Sequence, residues 1–183
     1  MKASGRRMIV CLAALSAVAG TAWAEPEAHT PSGFPVPRYV SLKFQTVNAR
    51  GGPGDDHRLL WIYHARGLPV QVVAEDSEWR RICDPDGGLA WVHKRTTDAP
   101  RTVIRMQMRP LALHSHPKES ARIVAYLRPK AIAGLVKCDE NGWCKIKVEG
   151  VSGWIPSPQV WGLDERPQCG TVLRTEPQTY SEH

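Results

Sequence analysis

The chain has 183 residues, 24 of them Lys or Arg and 18 Asp or Glu. That length suits one or two small domains, and once the three basic residues among the first 24 are set aside, 21 basic against 18 acidic residues are a poor fit to a nucleic-acid binder. The apolar run near the start, MIVCLAALSAVAG, falls short of the roughly 20 apolar residues that a membrane anchor requires.

Residues 1–24 read as an export signal. Lys2, Arg6 and Arg7 precede the apolar run, and Ala22-Trp23-Ala24 sets small residues where a signal peptidase reads. Cleavage is expected after Ala24. Cys11 follows Val10 rather than the small residue of a lipid-attachment motif, so no lipid anchor is expected. Removing the leader leaves 21 basic against 18 acidic residues. Residues 101–165 hold 10 Lys and Arg against 6 Asp and Glu, whereas residues 34–98 hold 9 against 8. Such an excess is compatible with an anionic polymer as partner and equally with a solvated surface of mixed sign. Residues 25–35 are expected to be a flexible lead-in, and residues 166–183 a C-terminal tail, with 25–33 and 170–183 lacking fixed structure.

After the alternating run SLKFQTV comes NARGGPG, residues 48 to 54. A phosphate-binding loop would need GxxxxGK followed by Ser or Thr and a helix. Here Asp55 and Asp56 follow Gly54, and LLWIY then reads as a strand. The glycines are instead expected to make a turn with positive φ angles.

Residues 53 to 79 and 117 to 143 align without a gap, each running 27 residues from a proline to a tryptophan, at an offset of 64. Ile82 then matches Ile146, and Trp91-Val92 matches Trp154-Ile155 after one residue of difference in loop length. The protein is a tandem pair. Within each unit the pattern is that of short strands: Leu59, Trp61 and Tyr63 alternate with Leu60, Ile62 and His64; Leu68, Val70 and Val72 with Pro69 and Gln71; Trp79, Arg81 and Cys83 with Arg80 and Ile82. Five or so strands in about 60 residues without a helix point to a small, strongly bent barrel. The weakly helical stretch KESARIVAYL is the repeat partner of GDDHRLLWIY, so it too is read as a strand.

In an oxidising compartment Cys83, Cys138, Cys144 and Cys169 are expected to pair. Cys138 and Cys144 bracket the hairpin turn DENG and are placed to bridge it, which leaves Cys83 and Cys169 as a long-range pair stapling the tail onto the first half. A zinc site drawing on His114 and His116 has the wrong spacing. No nucleophile sits in a strained turn such as GxSxG, and the adjacent carboxylates Asp55 and Asp56 point apart in a loop. No catalytic site, metal or cofactor is expected.

The succession VNARGGPG, LLWIYHARGLPVQVVA, EWRRI and GGLAWV, repeated more loosely as LALHSHP, RIVAYLRPKAIAGLV, GWCKI and VSGWIP, resembles the bacterial SH3-like domain. With the leader and the PRYVSLK and CDENGWCKI segments, the chain resembles exported tandem SH3-like proteins of Gram-negative bacteria over residues 36 to 163. The resemblance implies two SH3-like barrels, domain 1 at 36–98 and domain 2 at 101–165, in the periplasm. It also implies a non-enzymatic protein that binds a cell-envelope component, peptidoglycan foremost. A protein-interaction module, adaptor or inhibitor of a periplasmic protein such as a wall hydrolase, is the alternative. Peptidoglycan offers acetamido sugars and peptide carboxylates, for which aromatic faces and cations are suited. Arg50, Arg58, Trp61, Tyr63 and Arg66 are therefore the expected ligand face. The recurring Trp79, Trp91, Trp143 and Trp154 are assigned a structural role. In the family, Gly precedes the tryptophan of the last strand, as in Gly153-Trp154; Ala90-Trp91 is expected to turn differently because Ala tolerates positive φ poorly.

Overall fold

The computed structural model describes residues 30–169; the expected signal peptide and residues 170–183 lie outside them. The strands are β1 (Arg38–Leu42), β2 (Val47–Arg50), β3 (Leu59–Tyr63), β4 (Pro69–Asp76), β5 (Trp79–Cys83), β6 (Leu89–His93), β7 (Thr97–Asp98), β8 (Thr102–Ile104), β9 (Leu111–His114), β10 (Ile123–Leu127), β11 (Ile132–Cys138), β12 (Trp143–Val148) and β13 (Val151–Pro156). Two short 3-10 turns, Lys94–Thr96 and Ser157–Gln159, follow β6 and β13. Among the described residues there is no α-helix, and no helix long and apolar enough to cross a membrane.

The strands form two sheets, ordered β3-β2-β6-β5-β4-β1-β7 and β10-β9-β13-β12-β11-β8. All pairings are antiparallel, and β2 through β6 recur in the same order as β9 through β13, so the duplication seen in the sequence is a duplication of topology. KESARIVAYL contributes β10, whose contacts across β9 supply what local propensity does not.

Alternation builds each core. On β4 and β6, Val70, Val72, Ala90 and Val92 point inward to join Val40, Leu42, Val47, Ala49, Tyr63 and Ile82. The second core holds Val103, Leu113, Leu127, Ala133, Cys144, Ile146, Ile155 and Val160. Most are small or β-branched, because a barrel this tightly bent has little interior; each fully buried aliphatic side chain contributes about 1.5–3 kcal/mol.

Two expectations about glycine are corrected. None of Gly51, Gly52 and Gly54 has a positive φ. Gly52 is there for closeness, since an added Cβ would lie 2.5 Å from the His57 ring. Nor does Gly153 adopt a positive φ: its Cβ would lie 2.7 Å from Leu113 Cβ and 3.1 Å from Val124 Cγ2. Ala90 fits the matching position as a buried core residue, so the two copies differ in packing and not in turn type. The lead-in is more fixed than its composition implies. Thr30 and Gly33 close a turn, and both the backbone N–H and the hydroxyl of Ser32 donate to Glu75, which also accepts from Arg38 and Arg80. The Glu75 side chain is only 3% exposed. Burial raises its pKa, but the hydrogen bonds from Ser32 and Arg38 outweigh this and hold it at about 2.

The join between the copies is laid across the outer face of the first sheet. Tyr39 on β1 stands directly opposite Gln71 on β4, and Gln71 opposite Cys83 on β5, so the three side chains form one row. The chain leaving β13 crosses that row. Trp161 bridges to Ile104 and sets its ring edge-to-face on Tyr39, with centroids 5.1 Å apart. The Gln71 amide then donates to the carbonyls of Asp164 (3.3 Å) and Arg166 (2.8 Å) and accepts from the Gln168 N–H (2.9 Å). Cys169 is bonded to Cys83, and Cys138 to Cys144. Both expected disulfides are present. The linker adds a bond of 2.7 Å from the Thr102 hydroxyl to the Gly67 carbonyl and one of 3.1 Å from Arg101 to the Gly162 carbonyl.

Candidate functional site

The structure separates the five side chains expected to form a ligand face. Trp61 and Tyr63 share one side of β3, with rings edge-to-face at 6.0 Å, but it is the core side, since they pair with Ala49 and Val47. Tyr63 is 9% exposed and donates a 2.9 Å hydrogen bond to Asp84 Oδ2. The other oxygen of Asp84 accepts from the amides of Asp86 (3.0 Å) and Gly88 (2.7 Å). Burial nonetheless leaves the Asp84 carboxyl above its ordinary range. Tyr63 and Asp84 therefore brace the β5–β6 turn. Trp61 packs, half-buried, against the first core. Arg58 and Arg66 are exposed at opposite ends of β3. Arg50 donates to the His57 carbonyl at 2.9 Å and pairs with Asp55 at 3.3 Å, standing across from Trp91 of β6.

That last pairing leads to a different face. Trp91 has Arg50 opposite it on one side and Arg81 on the other, three residues in line across β2, β6 and β5. In the second copy Trp154 has His114 opposite it on β9 and Lys145 on β12. Each tryptophan is thus flanked by two basic residues in the same register. Trp79 lies beside this line, across from His93 with ring centroids 5.3 Å apart. Trp143 occupies the matching place, 5.6 Å from the His114 ring. Lys137 approaches the Trp154 ring at 5.7 Å, a cation–π distance. All four tryptophans are half-buried on the sheet surface, and none belongs to either core cluster. Alternation puts Ala90, Val92 and Ile155 inside and turns Trp91 and Trp154 to the outer face, so the packing role expected of the four tryptophans is played on the sheet surface and not in the cores. Arg81 and Lys145 have no ion-pair partner among the described residues, which leaves their charge available to a ligand.

Residues 43–98 and 108–162 each match the model of the bacterial SH3 domain, together more than half of the chain. The chain belongs to the bacterial SH3 domain family. A bacterial SH3 domain is a binding domain and not a catalytic one. Among solved structures, NlpC2 from Trichomonas vaginalis is similar at 14% identity and a TM-score of 0.32, over 68% of this chain and 47% of that one. NlpC1 from the same organism is similar at 14% identity and a TM-score of 0.31, over 72% of this chain and 48% of that one. The chain spans about half the length of each. No curated protein matches it.

The two SH3 domains present equivalent faces with unequal chemistry. Domain 1 presents two guanidiniums, Arg81 without an ion-pair partner among the described residues and Arg50 engaged by the exposed Asp55; domain 2 presents His114 and Lys145 with Lys137 nearby. The His114 Nδ1 lies 3.0 Å from the Ala121 carbonyl, which fixes its ring beside Trp143. Among the described residues no three His, Cys, Asp or Glu side chains gather as a metal site would require. A cleft of about 490 Å³ opens where domain 2 meets the tail, lined by Met106, Trp161, Leu163, Asp164 and Arg166 among others. Its guanidinium is already bound to Asp164 at 2.6 Å, so the cleft offers an apolar wall with little free charge.

Proposed function

We propose that this protein holds on to the bacterial cell wall from the periplasm, with peptidoglycan as its ligand and no bond-making of its own. The observation that carries this reading is the repeated line of a half-buried indole between two basic residues, Arg50–Trp91–Arg81 in domain 1 and His114–Trp154–Lys145 in domain 2. An acetamido sugar packs its apolar face and methyl group on an indole, and a stem-peptide carboxylate takes charge-assisted hydrogen bonds from the flanking guanidinium or ammonium groups. Two disulfides support an oxidising compartment, as do the charged and apolar regions of residues 1–24. Of the side chains first expected to bind, Arg50 remains in the ligand line, while Trp61 and Tyr63 support it from the core side.

Co-sedimentation with purified peptidoglycan sacculi tests the proposal. The mature protein is expected in the pellet, partly released by salt because carboxylate contacts on an exposed face are screened. Trp91→Ala combined with Trp154→Ala is expected to move it to the supernatant. Wild-type protein that stays in the supernatant at every ionic strength would sink the reading.

A further inference from the structure

Strands β3 and β10 stand first in the order of their sheets, so each is hydrogen-bonded to a neighbour strand on one side only. Soluble proteins usually guard such an edge with a charge, a proline, a bulge or a very short strand. The sequences LLWIY and IVAYL contain neither a charge nor a proline. Each edge strand does carry one bulge, whose extra residue is Leu60 in β3 and its repeat equivalent Val124 in β10. The stretches from Trp61 to Tyr63 and from Ala125 to Leu127 are regular.

The edges are also apolar on their outer surface. Leu59 is 43% exposed, Ile62 40%, Ile123 43% and Tyr126 61%. Leu59 matches Ile123 and Ile62 matches Tyr126 at the repeat offset, so both copies expose large side chains at the same two positions. Exposed cations bracket each strand: Arg58 and Arg66 around β3, Arg122 and Arg128 around β10. Arg58, Arg66 and Arg122 have no ion-pair partner among the described residues, and Arg128 only reaches Glu149 at 3.8 Å between two largely exposed side chains.

We propose that β3 and β10 are docking edges for an extended segment of another protein, apolar in its middle and acidic at its ends, which adds to each sheet as a further strand. The open backbone groups supply hydrogen bonds, the exposed pairs Leu59/Ile62 and Ile123/Tyr126 bury alternate side chains, and the bracketing arginines select acidic flanks. This surface adjoins the wall-binding line, since Leu59 stands opposite Arg50 and Ile123 opposite His114, while the tryptophans lie one strand further in. Substitutions at Ile62 and Tyr126, which are outside the line, and at Trp91 and Trp154, which are outside the edge, therefore tell the failure of one proposal from the failure of the other.

A fluorescein-labelled peptide, Glu-Val-Thr-Val-Tyr-Val-Glu with blocked ends, serves as the probe in an anisotropy titration of the full chain. It is expected to bind, and N-methylation of alternate residues along one edge is expected to weaken it at least tenfold. Ile62→Lys with Tyr126→Lys should abolish binding, whereas Trp91→Ala with Trp154→Ala should leave it unchanged. Because the edge positions are exposed, a second variant guards against misfolding: Arg58→Glu with Arg122→Glu should lose the acidic peptide and gain one ending in Lys. No binding up to millimolar peptide, or equal binding of the N-methylated form, would overturn the proposal. So would a concentration-dependent dimer in sedimentation that Ile62→Lys with Tyr126→Lys abolishes, because the edge would then serve a second copy of this chain.

Discussion

Removing the two disulfides separately should have unequal effects, because the loops they close differ in length. Cys83–Cys169 spans a sequence separation of 86 and Cys138–Cys144 one of 6. In the chain-entropy treatment, closing the long loop restricts the unfolded chain by about 4.6 kcal/mol and closing the short one by about 2 kcal/mol. Each bridge has one fully buried sulfur, Cys83 or Cys144, so replacing both members by alanine costs each variant a comparable loss of packing, and the difference reports the loops. Equilibrium unfolding in urea, followed by tryptophan fluorescence, measures both. Cys83→Ala/Cys169→Ala is expected to lose about 2–3 kcal/mol more than Cys138→Ala/Cys144→Ala. It should also broaden the transition or split it in two, since the tail is then held on domain 1 by the Gln71 hydrogen bonds and the Tyr39–Trp161 contact without a covalent tie. Equal losses, or a larger loss from the hairpin bridge, would refute the claim that the long bridge is the main tie between the domains.

Three further outcomes follow from buried contacts. Glu75 has a folded-state pKa below its unfolded one, so its contribution is fully present above about 4.5 and is lost as pH falls through about 2; Glu75→Gln should flatten the acid-unfolding curve within that window. Asp84 is shifted the other way, so its ionisation costs stability as pH rises past the unfolded pKa; Tyr63→Phe, which removes one donor, should cost about 1.5–3 kcal/mol at pH 7 and less at pH 3 in the same unfolding assay. Gly153→Ala should lose about 1–3 kcal/mol because the new methyl meets Leu113 Cβ near the backbone, whereas Gly52→Ala should lose less because the exposed His57 ring can swing aside.

The strands and their duplication were legible in the sequence because both are local patterns: alternation over five residues, and a proline-to-tryptophan spacing that repeats. The disulfides were legible by the same route, since the turn at DENG left one remaining pair. Which face of each strand is the inside was only partly legible. In LAWVH, small Ala90 and β-branched Val92 mark the core and so turn Trp91 outward, a signal that was available. In LLWIY every residue is apolar, and alternation carries no information; only the pairing of Trp61 with Ala49 and Tyr63 with Val47 decides it. The glycine loop misled for a related reason, because composition signals a turn without distinguishing unusual φ from close contact. Gln71 alternates with Val70 and Val72 in the sequence and lies on the face opposite their core. That it should be fully buried depends on backbone groups 93 to 97 residues away, and no local pattern encodes them.

The clamp at Gln71 and Cys83 bears on binding as well as on stability. On the proposed wall-binding reading, two lines on domains tied by this clamp meet a polymer whose units repeat, so once one line is engaged the second binds intramolecularly. With a short fixed span the effective concentration is on the order of millimolar, and joining two weak sites gains about 10²- to 10⁴-fold. Trp91→Ala and Trp154→Ala should then each release most of the protein from sacculi when made singly, because either one removes the intramolecular step. Adding the second substitution to the first should cost far less than the first did. Cys83→Ala/Cys169→Ala should weaken sacculus binding while leaving affinity for a soluble, single-unit wall fragment unchanged, as read by calorimetry. Sacculus binding that survives one tryptophan substitution in full would show that one domain does the holding, and the clamp would then matter to folding alone.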